Sequence, residues 1–379
     1  MAEVHGTFDE RFTAVRDALA ATIDEGLDVG ACAAVVLDGE PVVDIWAGTK
    51  DEAGTQPWEA DTITNVWSTT KTMAALCALM LADRGEIEFD APVARYWPEF
   101  KAGGKEAVEV RHLLSHNAGL SGWQEHMEPE DLYDWEKATS RLAAQEPWWE
   151  PGTASGYHAI TQGYLVGEVV RRVTGQTIGT FFREQLAEPL GADFHIGLAD
   201  EHHGRVANVI PPPPLAIADA DPNGIPMRTL GNPPLDASQS WQPAWRRAEI
   251  PAAGGHGNAR SVARVQSVLA CGGEVGGRRY LSANGCEAVL QEQSNGTDLV
   301  LGVPIRFGLG YGINSPEMPL GPNPRTCFWG GWGGSLVIVD LDARLCITYV
   351  MNKMGEGTVG DARGASIVMA AYGSLAQAG

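Results

Sequence analysis

Ser68 and Lys71 stand three residues apart in Trp67-Ser68-Thr69-Thr70-Lys71, directly ahead of the apolar run Met73-Ala74-Ala75-Leu76-Cys77-Ala78-Leu79-Met80-Leu81-Ala82. On a helix that spacing puts both side chains on one face, within reach of each other. A serine hydroxyl attacks a carbonyl only when a neighbour accepts its proton, and a lysine whose pKa is lowered by burial can do so at neutral pH. The helix start adds a second element. Its first backbone N–H groups, that of Ser68 among them, lack intrahelical acceptors, so an oxyanion formed beside the serine would be stabilised by them and by the helix dipole. The chemistry these residues suit is acyl transfer through a serine.

The bland reading of Ser68 is a helix N-cap. Fifteen serines and six lysines in 379 residues would give about a quarter of one Ser-x-x-Lys match by chance. Two observations favour chemistry: the match is the only one in the chain, and a lysine among so many apolar neighbours is hard to bury without a role. Other candidates are weaker. No Gly-x-Ser-x-Gly elbow occurs, which argues against an ordinary α/β-hydrolase with a Ser-His-Asp triad. Ser115 beside His116 is the nearest rival nucleophile. His112 and His116 are four apart, but no glutamate stands between them in the metalloprotease position. His202-His203 read as solvated, and no metal or cofactor is expected.

The elements that must carry these residues follow from periodicity. The run Met73–Ala82 is apolar on every face, which marks a buried helix, and Gly85 ends it. From Thr7 to Glu25, Phe12, Val15, Leu19, Ala20 and Ile23 recur at helical spacing before Gly26. Two β-rich runs, 31–37 and 42–47, flank the turn dipeptide Asp38-Gly39. Two more, 336–341 and 345–351, precede an Ala-, Ile-, Val- and Met-rich stretch over 362–375 that reads as a closing helix. The fold class is therefore α+β: an antiparallel sheet flanked by terminal helices, with an inserted, mainly helical region. In domain terms, residues 1–90 and 250–379 form the sheet region and 91–249 the helical one. The proline-rich stretch 211–243 is read as a long irregular loop that cannot form ordinary helix or central strand.

Composition narrows the partners. A formal net charge of −21 excludes a sequence-independent grip on nucleic acid and disfavours anionic membranes. No apolar run reaches the eighteen residues a membrane span needs. The first thirty residues are charged throughout and lack a secretory pattern, so the chain reads as cytoplasmic. Six cysteines, Cys32, Cys77, Cys271, Cys286, Cys327 and Cys346, are scattered without a Cys-x-x-Cys pair and read as buried free thiols. Oligomeric state is not legible.

The sequence also resembles the serine β-lactamases and penicillin-binding proteins, most nearly the class C β-lactamase-like carboxylesterases called family VIII. The resemblance spans nearly the whole chain. It rests on Ser68-Thr69-Thr70-Lys71, on Arg111-His112-Leu113-Leu114-Ser115-His116-Asn117-Ala118-Gly119-Leu120, and on Glu150-Pro151-Gly152-Thr153-Ala154-Ser155-Gly156-Tyr157. Pro251-Ala252-Ala253-Gly254-Gly255-His256-Gly257 and Trp329-Gly330-Gly331 complete it. It implies that Tyr157 opens the second catalytic motif and, with a pKa lowered by a neighbouring lysine ammonium, relays protons between serine and leaving group. It implies that the Ser115-His116 segment is structural. Trp329, Gly330 and Gly331 would be the third, substrate-binding motif, with the Trp332 N–H as second oxyanion donor beside Ser68; Trp332-Gly333-Gly334 offers a rival register.

Two departures bear on substrate. The lactamase lysine and asparagine that hold the substrate carboxylate and amide are replaced by Trp329 and Ala159. A tryptophan presents an apolar face and one N–H donor, so the expected substrates are neutral, short-chain carboxylic esters. The expectation is thus a serine carboxylesterase with Ser68, Lys71 and Tyr157 in the chemistry, Lys71 and Tyr157 being alternative bases. Amide or β-lactam hydrolysis and acyl transfer at the same site are the alternatives, and a non-catalytic binding protein the remotest. Trp148, Trp149, Trp241 and Trp245 are candidates for the pocket wall.

Overall fold

In the computed structural model of the chain, residues 1–212 and 221–378 are described. Nine strands build one sheet: β1 (Val4–Phe8), β2 (Gly30–Leu37), β3 (Glu40–Gly48), β4 (Ser294–Thr297), β5 (Pro304–Phe307), β6 (Gly312–Ile313), β7 (Thr326–Gly330), β8 (Leu336–Asp340) and β9 (Leu345–Met351). Their spatial order is β1-β3-β2-β9-β8-β7-β6-β5-β4, antiparallel throughout. Asp38 and Gly39 take left-handed φ values of 52° and 85°, as a tight turn matched to the strand twist requires. The two ends of the chain meet at the centre, where β2 pairs with β9 from Ala31–Met351 to Leu37–Leu345.

Both faces of this central pair are covered. Every residue of β9 is buried, the pattern of a strand packed on both sides. Adjacent strand residues point to opposite faces. On one face the Thr348 hydroxyl donates to Ala259 O (2.8 Å) at the head of helix Ala259–Ala270. On the other, the Tyr349 hydroxyl donates to Asp28 (2.5 Å), where helices α1 (Thr13–Asp24) and Ala362–Ala378 pack on each other and on the sheet. Arg363, at the start of the last helix, pairs with Asp28 (2.6 Å) and with Asp361, and donates to Gly333 O (2.6 Å). Burial raises the Asp28 pKa and the Arg363 charge opposes that rise.

Helix α2 (Thr70–Asp83) is buried over nearly its whole length, as its uniformly apolar sequence predicts. It packs on α3 (Thr161–Thr174) and on α4 (Ala259–Ala270). The Tyr311 hydroxyl sits between Thr72 O (3.1 Å) and Gln266 Oε1 (2.8 Å), tying α2 to α4. Between residues 66 and 255 the described residues form only helices, turns and single-residue bridges. All six cysteines are buried free thiols. No helix of the described residues is long and apolar enough to cross a membrane.

Four expectations change. The helix expected from Thr7 begins at Thr13: Val4–Phe8 instead pairs with β3, closing an otherwise open sheet edge, and Glu10–Phe12 is a 3-10 turn. The stretch 211–243 is not all irregular. Pro226 lies in the first turn of helix Ile225–Leu230, where a missing N–H costs nothing, Ala237–Trp241 is a 3-10 helix, and Pro243 opens helix Pro243–Arg247; residues 213–220 lie outside the described residues. Four sheet strands, β4 to β7, were not expected. His202 and His203 are half-buried rather than solvated, with the His202 ring 4.7 Å from that of His195.

Candidate active site

The chain enters α2 through a 3-10 turn, Trp67–Thr69. Trp67 has φ of 49°, a left-handed conformation that costs a bulky residue on the order of 1–3 kcal/mol. Its ring is held between Trp245 (5.5 Å) and Trp332 (4.9 Å). The turn is pinned on both flanks. Ser335 Oγ donates to Val66 O (2.8 Å) and meets Thr69 Oγ1 (2.9 Å), while Gly255 N donates to Thr70 Oγ1 (2.9 Å) and Thr70 Oγ1 to Trp67 O (2.5 Å).

Ser68, Lys71 and Tyr157 come together. Ser68, 8% exposed, has its Oγ 3.0 Å from Lys71 Nζ and accepts a hydrogen bond from the Tyr157 hydroxyl at 2.6 Å. Lys71 Nζ also donates to Ala159 O (2.6 Å) and Ala252 O (2.9 Å), and lies 4.8 Å from the centre of the Tyr157 ring. No carboxylate pairs with it among the described residues, and burial holds its pKa well below the ordinary lysine value. The neutral amine is the form this environment favours. Burial likewise raises the Tyr157 phenol. The lowered phenol pKa expected from a neighbouring ammonium is therefore corrected: desolvation of the buried phenol outweighs the neighbouring Ser68 and Trp329 groups that would lower it.

The neutral amine has two N–H bonds and one lone pair. Nζ stands as donor to three oxygens, Ala159 O, Ala252 O and Ser68 Oγ. In the neutral amine, with its two hydrogens on the two carbonyls, the lone pair would face the serine O–H. Tyr157 donates to the same serine oxygen.

Of the two registers for the third motif, Trp329-Gly330-Gly331 is the one that lies on this triad. Trp329 is the last residue but one of β7, with its ring 5.5 Å from Tyr157 and 5.9 Å from His116. A Cβ on Gly331 would collide with Val66 O and Ser335 Oγ and lie 3.2 Å from Ser68 N. Gly333 and Gly334, at φ 93° and 128°, belong to the turn beyond. Neither Ser68 N–H nor Trp332 N–H donates to an acceptor among the described residues. The Trp329 indole N–H is buried beside the Tyr157 phenol, where it favours the ionised form, and it has no hydrogen-bond partner of normal geometry in the resting site.

Of the other tryptophans, Trp245 reaches the site through Trp67 and donates to Asn65 Oδ1 (3.0 Å). Trp149 packs on His158, Trp148 lies under the Arg228 guanidinium, and Trp241 is 41% exposed and donates to Val209 O. His112 accepts from Glu109 N, away from the triad. Among the described residues, no three His, Cys, Asp or Glu side chains cluster as metal ligands would. Two neighbours of Tyr157 carried no sequence signal for contact with it: His116, whose ring lies 4.9 Å away, and Asp298, which accepts from the Tyr157 amide at 3.0 Å.

A Ser-x-x-Lys pair at the head of a buried helix, faced by a tyrosine and flanked by a glycine-rich strand end of an antiparallel sheet, defines the class of β-lactamase and penicillin-binding-protein folds. The chain belongs to the family described as Beta-lactamase, which it matches over residues 19–371. It is similar to a crystal structure of a family VIII carboxylesterase, with a TM-score of 0.93 and 44% identity, covering 98% of this chain and 100% of that one. It is 38% identical over 365 residues to Esterase/beta-lactamase LipL of Mycobacterium tuberculosis, covering 93% of this chain and 83% of that protein. Esterase EstB of Burkholderia gladioli is 27% identical over 366 residues, 88% of each. With esterases among relatives of this closeness and coverage, the chain is a hydrolase of the β-lactamase fold.

Proposed function

We propose that the protein is a serine carboxylesterase acting on neutral, short-chain esters. The observation that carries the reading is the geometry at Ser68 Oγ: Lys71 Nζ lies at 3.0 Å and the Tyr157 hydroxyl at 2.6 Å, and the lysine is surrounded by carbonyls with no carboxylate among the described residues. In the first step Ser68 Oγ bonds to the ester carbonyl carbon as its proton passes to Lys71. The oxyanion lies toward the Ser68 and Trp332 N–H groups. The bond to the alcohol oxygen then breaks, with a proton from Tyr157, which Lys71 restores. In the second step water gives a proton to the Tyr157–Lys71 pair and its oxygen to the acyl carbon, and Ser68 Oγ leaves with a proton. One ester and one water give one acid and one alcohol.

The choice of neutral esters rests on the pocket chemistry. The Trp329 ring fills the place beside Tyr157 where a cation would hold a substrate carboxylate, stacked on His116 and tilted against Phe307. Burial keeps His116 itself neutral. One relative is described as both esterase and β-lactamase, so β-lactam hydrolysis is the second reading. Turnover of p-nitrophenyl acetate, butyrate and octanoate beside nitrocefin separates them. We expect kcat/KM for the butyrate to exceed that for nitrocefin by about 10²-fold or more, a gap of the size that pocket contacts produce. Nitrocefin turned over as well as the butyrate would reverse the assignment.

The oxyanion geometry gives a further expectation. Gly331→Ala pushes a methyl group against Val66 O and Ser335 Oγ, both of which set the Ser68 amide. Its kcat on p-nitrophenyl butyrate is expected to fall about 10²-fold, the scale of losing one oxyanion donor. The thermal midpoint, followed by circular dichroism, separates this loss from unfolding.

A further inference from the structure

Three consecutive amides hold the Tyr157 backbone. Gly156 N donates to His116 O (3.0 Å), Tyr157 N to Asp298 Oδ1 (3.0 Å), and His158 N to His116 Nδ1 (3.0 Å). His116 and Asp298 are 2% and 1% exposed. The His116 backbone has φ of 61°, a left-handed conformation uncommon outside glycine but one in which histidine, like asparagine and aspartate, is enriched, and it is this conformation that presents both acceptors to one strand of chain. The His116 ring then meets the Tyr157 ring edge-on (4.9 Å) and stacks on Trp329 (5.9 Å). Asp298 Oδ1 also accepts from Val300 N (2.9 Å) and Leu301 N (2.9 Å), while Leu299 N donates to Ser155 O (2.8 Å). Its second carboxylate oxygen is buried without a partner.

We propose that His116 and Asp298 are a positioning pair that aims the Tyr157 hydroxyl at the leaving alcohol. The inference rests on the reading of Tyr157 as proton donor. A phenol displaced by a fraction of an ångström still packs, but it no longer delivers its proton along the breaking bond. The consequence depends on the leaving group. p-Nitrophenolate departs unprotonated, its conjugate acid having a pKa of about 7, whereas an alkoxide, with a conjugate acid near about 16, cannot leave without the proton. A loosened Tyr157 therefore penalises alkyl esters far more than nitrophenyl esters, a signature that general loss of structure does not produce.

The test compares ethyl butyrate with p-nitrophenyl butyrate in the full-length protein. His116→Phe keeps a ring but removes the Nδ1 acceptor; Asp298→Ala removes the carboxylate. In each, kcat/KM, which reads acylation and leaves out the butyryl-enzyme hydrolysis both esters share, is expected to fall about 30-fold for ethyl butyrate, within the range general-acid catalysis supplies, and by under about 3-fold for the nitrophenyl ester. His116→Asn tolerates the left-handed backbone and offers an oxygen near the Nδ1 position, and Asp298→Asn keeps Oδ1; both are expected to recover most of the alkyl-ester rate. Should the first two variants fail to fold, this conservative pair and the non-additivity of His116→Asn with Tyr157→Phe carry the test. Equal losses on both esters, or none, would overturn the positioning role. Tyr157→Phe is the control: if it shows no steeper leaving-group dependence, the proton-donor reading falls and the positioning role with it.

Discussion

Ser68→Ala is expected to lower ester hydrolysis by about 10⁴-fold or more, because removing a nucleophile removes the covalent route altogether. The native protein should take up a single fluorophosphonate adduct, read by intact mass, and the variant none. Little else should change. The alanine keeps the turn at Trp67–Thr69, whose hydrogen bonds run through Val66, Thr69, Thr70 and Ser335 rather than through Ser68 Oγ. Retained activity would move attention to Ser115, but that hydroxyl is fully buried and donates to Arg111 O at 2.7 Å. Among the described residues no amine or imidazole is hydrogen-bonded to it to take its proton. Retained activity would therefore overturn the serine mechanism as drawn, and so would labelling at any other residue.

Lys71 supplies the second large effect, in two parts. Lys71→Met is expected to reduce kcat about 10³-fold, near the upper end of what a positioned base provides. Lys71→Arg should be as inactive as Lys71→Met, because a guanidinium does not give up its proton in a protein and has no lone pair for the serine. A mechanism in which Lys71 acts only through positive charge predicts the opposite: substantial activity in the arginine variant. The native pH profile checks the same point. Burial depresses the Lys71 pKa, so the amine is protonated, and the enzyme inactive, only below that depressed value. Activity should rise with pH through it and already be high well short of the ordinary lysine range near 10.4. A profile whose acid limb lay near 10 would remove Lys71 as the neutral base.

The pair Ser68 and Lys71 was legible because type, spacing and the apolar run after them all state one thing: two polar groups on a helix with no water around it. Tyr157 had no such local mark, and its place came from resemblance alone. Its environment was then misjudged. The sequence places a lysine beside it, but only the packing of α2 shows that this lysine has two carbonyls and no anion for company. His116 and Asp298 escaped because an acceptor for a backbone amide needs no spacing rule; Asp298 lies 141 residues from the amide it holds. The outer strands were hidden for another reason. Ser294–Thr297 is almost fully exposed and Gly312–Ile313 is two residues long, so neither shows hydrophobic alternation. In the central hairpins, by contrast, Gly30–Leu37, Leu336–Asp340 and Leu345–Met351 are buried nearly throughout and Glu40–Gly48 alternates, so their apolar, β-branched runs were plain.

Arg363 has a temporal consequence. It reaches from the head of the last helix to the carbonyl of Gly333, in the turn that follows Trp332, and it closes on Asp28 near the other end of the chain. A ribosome delivers Ser68 and Lys71 long before this arginine. The nascent polypeptide therefore carries its serine through all the residues between without the clasp on the turn after Trp332. That turn is finished only once Arg363 has emerged and closed, and a chain truncated before residue 363 would have its serine in sequence but no finished place to use it.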